Sequence, residues 1–384
     1  MSENPASVPV PLLDLKAQYA TIRHEIRPVL DEVCDAQGFI LGPRVEAFEK
    51  AVAAYVGTKH AIGMSSGTDS QLAAMMAAGV GPGDDVVTSP YSFFSTAGAV
   101  ARLGAKAVFC DIEPETFNLD PSRLAAAITP RTKLIQPVHL YGQCADMGPI
   151  LEVARSKGIP VLEDACQAMG AAYGAKKAGA IGAFGAFSFF PSKNLGGFGD
   201  GGMVTTDDDG MATALRALRT HGETSRYHHG MVGGNFRLDA LQAAVLHVKL
   251  PHLDGWADGR RRNAKEIEAL YLEFGGRTYE QGGLQFPREA AGRHHVFNQF
   301  VVRVGQGRRE SAKEFLAARQ IGHAVYYPVP LHLQECFLSW GGKPGSCPEA
   351  EKAAQETLAL PVFPELTAGQ KRFLAWSLAE FSRG

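Results

Sequence analysis

The sequence predicts an α/β protein with a large, mostly parallel sheet domain and a smaller C-terminal α/β domain. Three observations predict it. From about residue 60 to 206, short apolar runs alternate with helix-like stretches, the pattern of a parallel sheet covered on both faces. Turn chemistry falls between these units, at Gly79–Gly83 and Glu113–Thr116. After a helical pattern over Gly259–Phe274 the chain changes character, which places a second, smaller domain from about residue 251. The expected division is a large domain over 14–250, a small one over 251–384, and an N-terminal arm over 1–13.

Taken in order, strands are expected at Ala61–Met64, Asp85–Ser89, Ala107–Asp111, Lys133–Pro137, Pro160–Glu163, Ala183–Phe189 and Gly202–Thr205. Helices are expected at Ser70–Ala78, Ser92–Leu103, Pro121–Ile128 and Met147–Lys157. A helical pattern covers Asp239–Leu250 and should stop at Pro251, which cannot continue a helix. Another covers Gly259–Phe274. Phe297–Val304 reads as a strand, Arg309–Gln320 as a helix, and Ala324–Tyr327 as a strand before a Pro-rich loop.

The bulk properties exclude several functions. A chain of 384 residues, 45% hydrophobic and 20% charged, has the composition of an ordinary globular protein. The formal net charge of -2 provides no basic field for nucleic acid. No apolar run approaches the ~20 residues that cross a bilayer. The N-terminus, MSENPASVPVPLLDL, lacks the basic start of a secretory signal. Six scattered cysteines, without a CxxC pair, argue against a disulfide framework or zinc site, so a reducing cytoplasm is the expected setting.

Five segments carry chemistry. From Ala178 to Gly199 the only charged residue is Lys193, set among glycines and aromatics. Such a setting disfavours the ammonium, lowers the pKa and makes the amine nucleophilic, as a Schiff-base lysine requires. A lysine snorkelling from a loop fits the same residues. In Ile159–Gln167 an apolar run ends in Asp164, three residues before Gln167. A carboxylate at a strand end can hold the pyridine nitrogen of pyridoxal phosphate (PLP) protonated. A helix-capping aspartate fits as well. Met64-Ser-Ser-Gly67-Thr68 leads into a helix, whose free N–H groups can cradle a phosphate or simply be capped. Tyr91, Phe93 and Phe94 can stack on a flat ring or serve as core. Gly233-Gly-Asn235-Phe-Arg237-Leu-Asp239 clusters polar groups before a helix, where Asp239 can act as a cap.

The order of these pieces, with the stretches SSGTDS, DIEPETFNLDP, VHLYGQCADM, VLEDACQAMGA, SFFPSKNLGGFGDGG, GGNFRLDALQAAVLHVKLPHLD and YYPVPLHLQ, resembles the DegT/DnrJ/EryC1/StrS family of nucleotide-sugar aminotransferases. The likeness runs from about Leu13 to Pro361. It implies the fold type I PLP-transferase architecture, PLP as cofactor and a homodimer. It implies that Lys193 binds PLP covalently, Asp164 pairs with the pyridine nitrogen and Gln167 contacts the ring hydroxyl. Phe93 would stack on the ring, while Gly67, Thr68 and Ser188 contact the phosphate. Asn235 would reach the phosphate of the neighbouring subunit. Arg237, Tyr326, Tyr327 and His332 fall in segments lining the sugar-nucleotide cleft. One departure is Asn298, where many relatives are expected to carry a histidine or second aromatic.

The implied reaction is ping-pong. L-Glutamate gives its amine to the cofactor and leaves as 2-oxoglutarate, and a nucleotide-linked keto-sugar then takes the amine. Lys193 is the natural base and acid. The lysine segment is similar to that of relatives acting at C3. Overall likeness, including Arg226–His229, points to a UDP-linked 2-acetamido-3-keto-hexose or its uronic acid, used for surface polysaccharide. Arg226, His229 or Arg237 would pair a uronate carboxylate. A dTDP-linked 3-keto-6-deoxyhexose or a C4 ketone is the alternative. A PLP-dependent dehydratase would carry histidine in place of Lys193. A regulatory protein on the same fold would not need the complete Lys193, Asp164 and Gln167 set. No metal site is expected: His228-His229 and His294-His295 are adjacent pairs, with no carboxylate at ligand spacing.

Overall fold

The computed structural model describes residues 5–384; residues 1–4 of the expected N-terminal arm lie outside the described residues. The large sheet has seven strands: β1 (His60–Met64), β2 (Asp85–Thr88), β3 (Lys106–Phe109), β4 (Thr132–Gln136), β5 (Leu162–Asp164), β6 (Phe184–Ser188) and β7 (Gly202–Thr206). Their spatial order is β1-β7-β6-β5-β4-β2-β3. Two parallel bridges, Ile135 to Val161 and Val138 to Asp164, join the β5 and β4 portions. Only β7 runs antiparallel to its neighbours. The expected mostly parallel sheet is therefore present, close to the expected strands.

Helices cover both faces, and strand periodicity decides which residues they meet. In β1, Ala61 joins the core built with α2 (Pro43–Val56) and α8 (Ala240–Lys249), whereas Ile62 and Met64 face the core of α3 (Gly67–Ala77), α4 (Ser95–Arg102) and α7 (Asp209–Leu218). Phe187 and Ala186 of β6 divide the same way. Between strands, α5 (Pro121–Ala127) and α6 (Met147–Lys157) complete the cover, and α1 (Leu15–Ala36) lies along α8.

The C-terminal part builds a three-stranded antiparallel sheet, β8 (Leu284–Gln285), β9 (Phe300–Val304) and β10 (Thr357–Leu360), in that order. Helices α9 (Leu253–Glu273), α10 (Arg309–Ala317), α11 (Pro348–Glu356) and α12 (Ala368–Arg383) accompany it. The helix α8 ends at Lys249, just before Pro251, as expected, but Pro251 sits in a 3-10 turn, Leu250–His252, that leads almost directly into α9, because a proline lacking an N–H is accommodated in a first turn. The first turns of α9 pack Leu253 and Ala257 on the large core, and its later turns pack Ala264, Ile267 and Tyr271 on the smaller one. Val10 of the arm bridges Ile321 and is buried in that smaller core.

Two expected strands differ. Residues 295–299 are a loop, because the N–H groups of Val296 and Gln299 donate to the carbonyls of Gly142 and Tyr141 instead of a ladder, and Phe297 is left-handed (φ 44°). Ala324–Tyr327 makes one antiparallel bridge, Ala324 to Ala359, before its backbone turns to a tyrosine cluster. There Tyr91 Oη donates to the Tyr326 carbonyl at 2.8 Å and accepts from the Tyr327 N–H at 3.0 Å. The Tyr326–Tyr327 peptide is cis.

Candidate active site

β1, β2, β5 and β6 all run toward the same edge of the sheet, the edge at which α/β proteins bind ligands. The segments leaving them meet around a cavity of about 460 Å³, with Tyr326 and Tyr327 also on its wall. Gly67, Thr68, Phe93, Asp164, Gln167, Ser188 and Lys193 all line it.

Lys193 sits in the turn after β6, its N–H donating to the Phe190 carbonyl at 2.8 Å. The residue is half-buried, and among the described residues no protein group accepts from its amine. Loss of solvent pulls the pKa below the ordinary lysine value, while the Cys166 thiol and the nearby Asp164 carboxylate pull the other way. An unpaired, partly desolvated amine facing a cavity is not a snorkelling surface lysine.

Asp164 ends β5 and is 4% exposed. No helix begins there, so it is not a cap. Oδ2 accepts from Thr96 Oγ1 at 2.8 Å, and the Thr96 hydroxyl lies 2.8 Å from Ser92 Oγ. Oδ1 accepts weakly from the Cys166 N–H at 3.3 Å. Gln167 is fixed by its own two ends: Oε1 accepts from the Tyr141 N–H at 2.7 Å, and Nε2 donates to Tyr327 Oη at 2.9 Å. Tyr141 reaches that position in a left-handed conformation (φ 59°), followed by Gly142 at φ +102°.

At the start of α3, Ser66 caps the helix by accepting from the Asp69 N–H at 3.1 Å. The N–H groups of Gly67 and Thr68 have no acceptor among the described residues. Gly67 is needed for close approach: a Cβ there would lie 2.6 Å from Ser188 Cβ. Phe93 stands at the lip, 55% exposed, its ring 6.2 Å from that of Tyr327.

Other expected residues lie elsewhere. Asn235 is exposed, and its backbone bridges Thr220. Arg237 pairs its backbone with Met64 beside the α3 turn, and its buried Nε has no partner. Arg226 and His229 belong to an exposed hairpin, Glu223–Ser225 with His228–His229. His332 is 1% exposed and turned away from the cavity, its Nε2 3.0 Å from Glu351. His294 and His295 gather no metal-binding cluster among the described residues; His295 Nδ1 accepts from the Phe297 N–H at 3.0 Å. Sequence reasoning missed Ser92, Thr96, Gln71, Cys166 and Gln299, all near or on the wall, whereas Ser192 and Asp200, within the lysine stretch SFFPSKNLGGFGDGG, line it. For Tyr141 a signal was present, in the VHLYGQCADM stretch.

These residues fit PLP. Two free N–H groups at a helix N-terminus suit a phosphate, a buried carboxylate suits a protonated ring nitrogen, and an unpaired lysine suits the aldehyde.

The DegT/DnrJ/EryC1/StrS aminotransferase family profile matches residues 20–375. A pleiotropic regulatory protein of Geobacillus stearothermophilus is 49% identical, over 97% of this chain and 99% of its own. The UDP-N-acetyl-3-dehydro-alpha-D-glucosamine 3-aminotransferase of Acidithiobacillus ferrooxidans is 43% identical, over 96% of each chain. The UDP-2-acetamido-2-deoxy-3-oxo-D-glucuronate aminotransferase of Pseudomonas aeruginosa is 41% identical, over 96% of this chain and 99% of its own. Among solved structures, S. venezuelae DesV in complex with a ketimine intermediate superposes with a TM-score of 0.92 at 39% identity, covering 98% of this chain and 99% of that one. By sequence and by fold, the chain belongs to the DegT/DnrJ/EryC1/StrS aminotransferase family and is a PLP-dependent aminotransferase of fold type I.

Proposed function

We propose that this aminotransferase moves the amino group of L-glutamate to C3 of a nucleotide-linked keto-sugar, a UDP-2-acetamido-3-keto-hexose or its uronic acid. The product would serve a surface polysaccharide, such as lipopolysaccharide, or a related glycoconjugate. The observation that carries the reading is the meeting of Lys193, Asp164, Gln167 and the α3 N-terminus in one cavity. The C3 position and the UDP-sugar are supported by the lysine segment and by the names of two relatives at 43% and 41% identity. We further propose a cytoplasmic homodimer, with Asn235 reaching the partner's cofactor phosphate, and neither nucleic acid nor membrane as partner. No described helix is long and apolar enough to cross a membrane.

Bound PLP supplies the electron sink that lets the donor lose its Cα proton. The chain does the rest. Asp164, whose Oδ2 accepts from the Thr96 hydroxyl at 2.8 Å, would hold a proton on the ring nitrogen. Gln167 orients the ring through its hydroxyl, and Phe93 covers a face. The α3 amides and Ser188 anchor the phosphate. With PLP bound, Lys193 Nζ would be the base and acid that moves the donor's Cα proton, a task suited to an amine of lowered pKa. The open mouth beside Tyr326 and Tyr327 admits the sugar, and the nucleotide extends toward solvent.

A regulatory reading draws on the name of the 49% identical relative. One experiment separates the two. Purified protein is assayed for PLP absorbance, for conversion by glutamate, and for amination of each keto-sugar, with product NMR. Wild type is expected to aminate a UDP-3-keto-sugar at C3, and Lys193→Ala is expected to lose both the borohydride-reducible adduct and turnover. Amination at C4 with 3-keto-sugars inert would end the C3 reading; a colourless, unreactive protein would favour regulation.

A further inference from the structure

A smaller cavity of about 110 Å³ lies beside the first and shares Ser192, Gln299 and Tyr326 with it. Arg260 of α9 and Asn298 line this annex. Arg260 is 5% exposed, yet it makes no ion pair among the described residues. Its Nη1 donates to the carbonyls of Phe297 at 3.1 Å and Asn298 at 3.4 Å, and its remaining N–H groups have no acceptor there. Burial lowers its pKa to about 10, opposed by Glu365, so it stays charged at neutral pH. Glu365 is not in ion-pair contact, so this buried guanidinium, bonded only to two carbonyls, has donors left for an anion. Asn298 adds a second incomplete group. Its Nδ2 donates to Gln299 Oε1 at 2.6 Å, while its buried Oδ1 has no donor.

Size narrows the ligand. The annex is small beside the main cavity, about 110 Å³ against about 460 Å³, and suits a carboxylate on a short stem. Its other walls are the apolar Ala359, Leu360 and Val362, which favour a methylene stem over a hydroxylated one. Ser192, on the shared wall, is the neighbour of Lys193.

We propose that Arg260 is the counter-charge for a carboxylate of the amino-acid donor, seated in this annex while the donor's amine faces the reacting centre. This rests on the aminotransferase reading of the main cavity and adds the donor's subsite to it. Guanidinium and carboxylate match as a two-pronged pair, which lysine does not reproduce. A uronate carboxylate on the sugar has the same chemistry. The donor is favoured because the smaller cavity suits a short stem better than a sugar ring carrying a nucleotide.

The test uses the PLP-loaded enzyme with glutarate, a dicarboxylate without an amine, as a non-reacting probe. Arg260→Lys is expected to raise the glutarate Kd about tenfold or more. It should raise the glutamate KM of the first half-reaction by a similar factor, with kcat nearly unchanged. The second half-reaction, between the aminated cofactor form and neutral or uronic keto-sugars, should stay within about twofold. Asn298→Asp, which sets a carboxylate against the incoming one, should act in the same direction, and it decides the matter if Arg260→Lys does not fold. Wild-type conversion by glutamate, with glutarate binding equal in both variants, overturns the inference and leaves the aminotransferase intact. A loss confined to uronic sugars overturns it too, by giving the annex to the sugar. Wild type inert to glutamate overturns both readings.

Discussion

Asp164 illustrates how single side chains set the chemistry. Asp164 is 4% exposed, and the Thr96 hydroxyl donates to its Oδ2 at 2.8 Å. A hydrogen bond to a charged group contributes about 1.5–3 kcal/mol. Thr96→Val, nearly isosteric, is therefore expected to lower kcat about 10- to 100-fold while the cofactor stays bound. Asp164→Asn removes the counter-charge itself, and the expected loss is about 100- to 1,000-fold, the scale of other preorganised electrostatic contacts. Steady-state kinetics on the two variants check the order. A Thr96→Val enzyme as slow as Asp164→Asn would mean that the hydroxyl does more than support the carboxylate. Thr96 was not legible in the sequence, because it stands 68 residues from its partner and a threonine inside a helix carries no signature of its own.

At the scale of elements, the turn Leu140-Tyr141-Gly142 shows what a motif contains that periodicity does not. Its two left-handed residues aim the Tyr141 N–H at Gln167, and the Gly142 and Tyr141 carbonyls take the N–H groups of Val296 and Gln299. A Cβ on Gly142 would lie 2.9 Å from the Asn298 nitrogen, in a backbone conformation (φ +102°) that other residues avoid. Gly142→Ala is expected to cost about 1–3 kcal/mol, read as a fall in thermal stability with reduced PLP retention. An unchanged melting temperature would show that the turn relaxes freely. The same turn explains where sequence reading stopped. Seven strands were legible because alternating or continuous apolar runs report burial, and Lys193, Asp164 and Gln167 because they stand at the ends of such runs. The loop at 295–299 was not, since Phe297 and Phe300 look like a strand and only a distant turn takes their ladder donors. His332, in a segment expected to line the cleft, packs inward on Glu351, a partner no local pattern announces. This loop also carries an acid-sensitive group. His295 is buried, stacked on Phe297 at 3.9 Å, with its pKa lowered to about 3 by burial, beside Arg261. The unfolded chain binds a proton at this site below pH 6.5 and the folded chain does not. Folding stability is thus expected to fall by about 1.4 kcal/mol per pH unit from this residue alone as pH drops from 6.5 toward 3. His295→Asn keeps an acceptor for Phe297 and cannot take up the proton, so denaturation midpoints between pH 6.5 and 4 should decline less steeply; parallel slopes in the two proteins would refute the assignment.

At the scale of the whole molecule, several large apolar side chains stand open to solvent in one chain. Val232 is 87% exposed and Tyr227 79%, with Met231, Phe198 and Ile40 also open. The hairpin bearing Tyr227 and the segment 231–235 stand beside one another and end at Asn235, exposed, with no side-chain partner among the described residues. Apolar area left in water costs ~25 cal/mol per Å², and in the homodimer proposed above a second copy of the chain would cover a side chain such as Val232. Asn235 would then lie against the partner, where its amide can reach a phosphate held by the other chain's α3. Such a composite site predicts that assembly and cofactor retention fail together. Val232→Asp, placing a charge at the centre of the patch, is expected to shift the protein toward monomer in sedimentation velocity and to release PLP in the same concentration range. Asn235→Ala should remain dimeric and still lose PLP more readily, because it removes the contact and not the interface. A Val232→Asp monomer that keeps its PLP and full activity would show that each chain completes its own site.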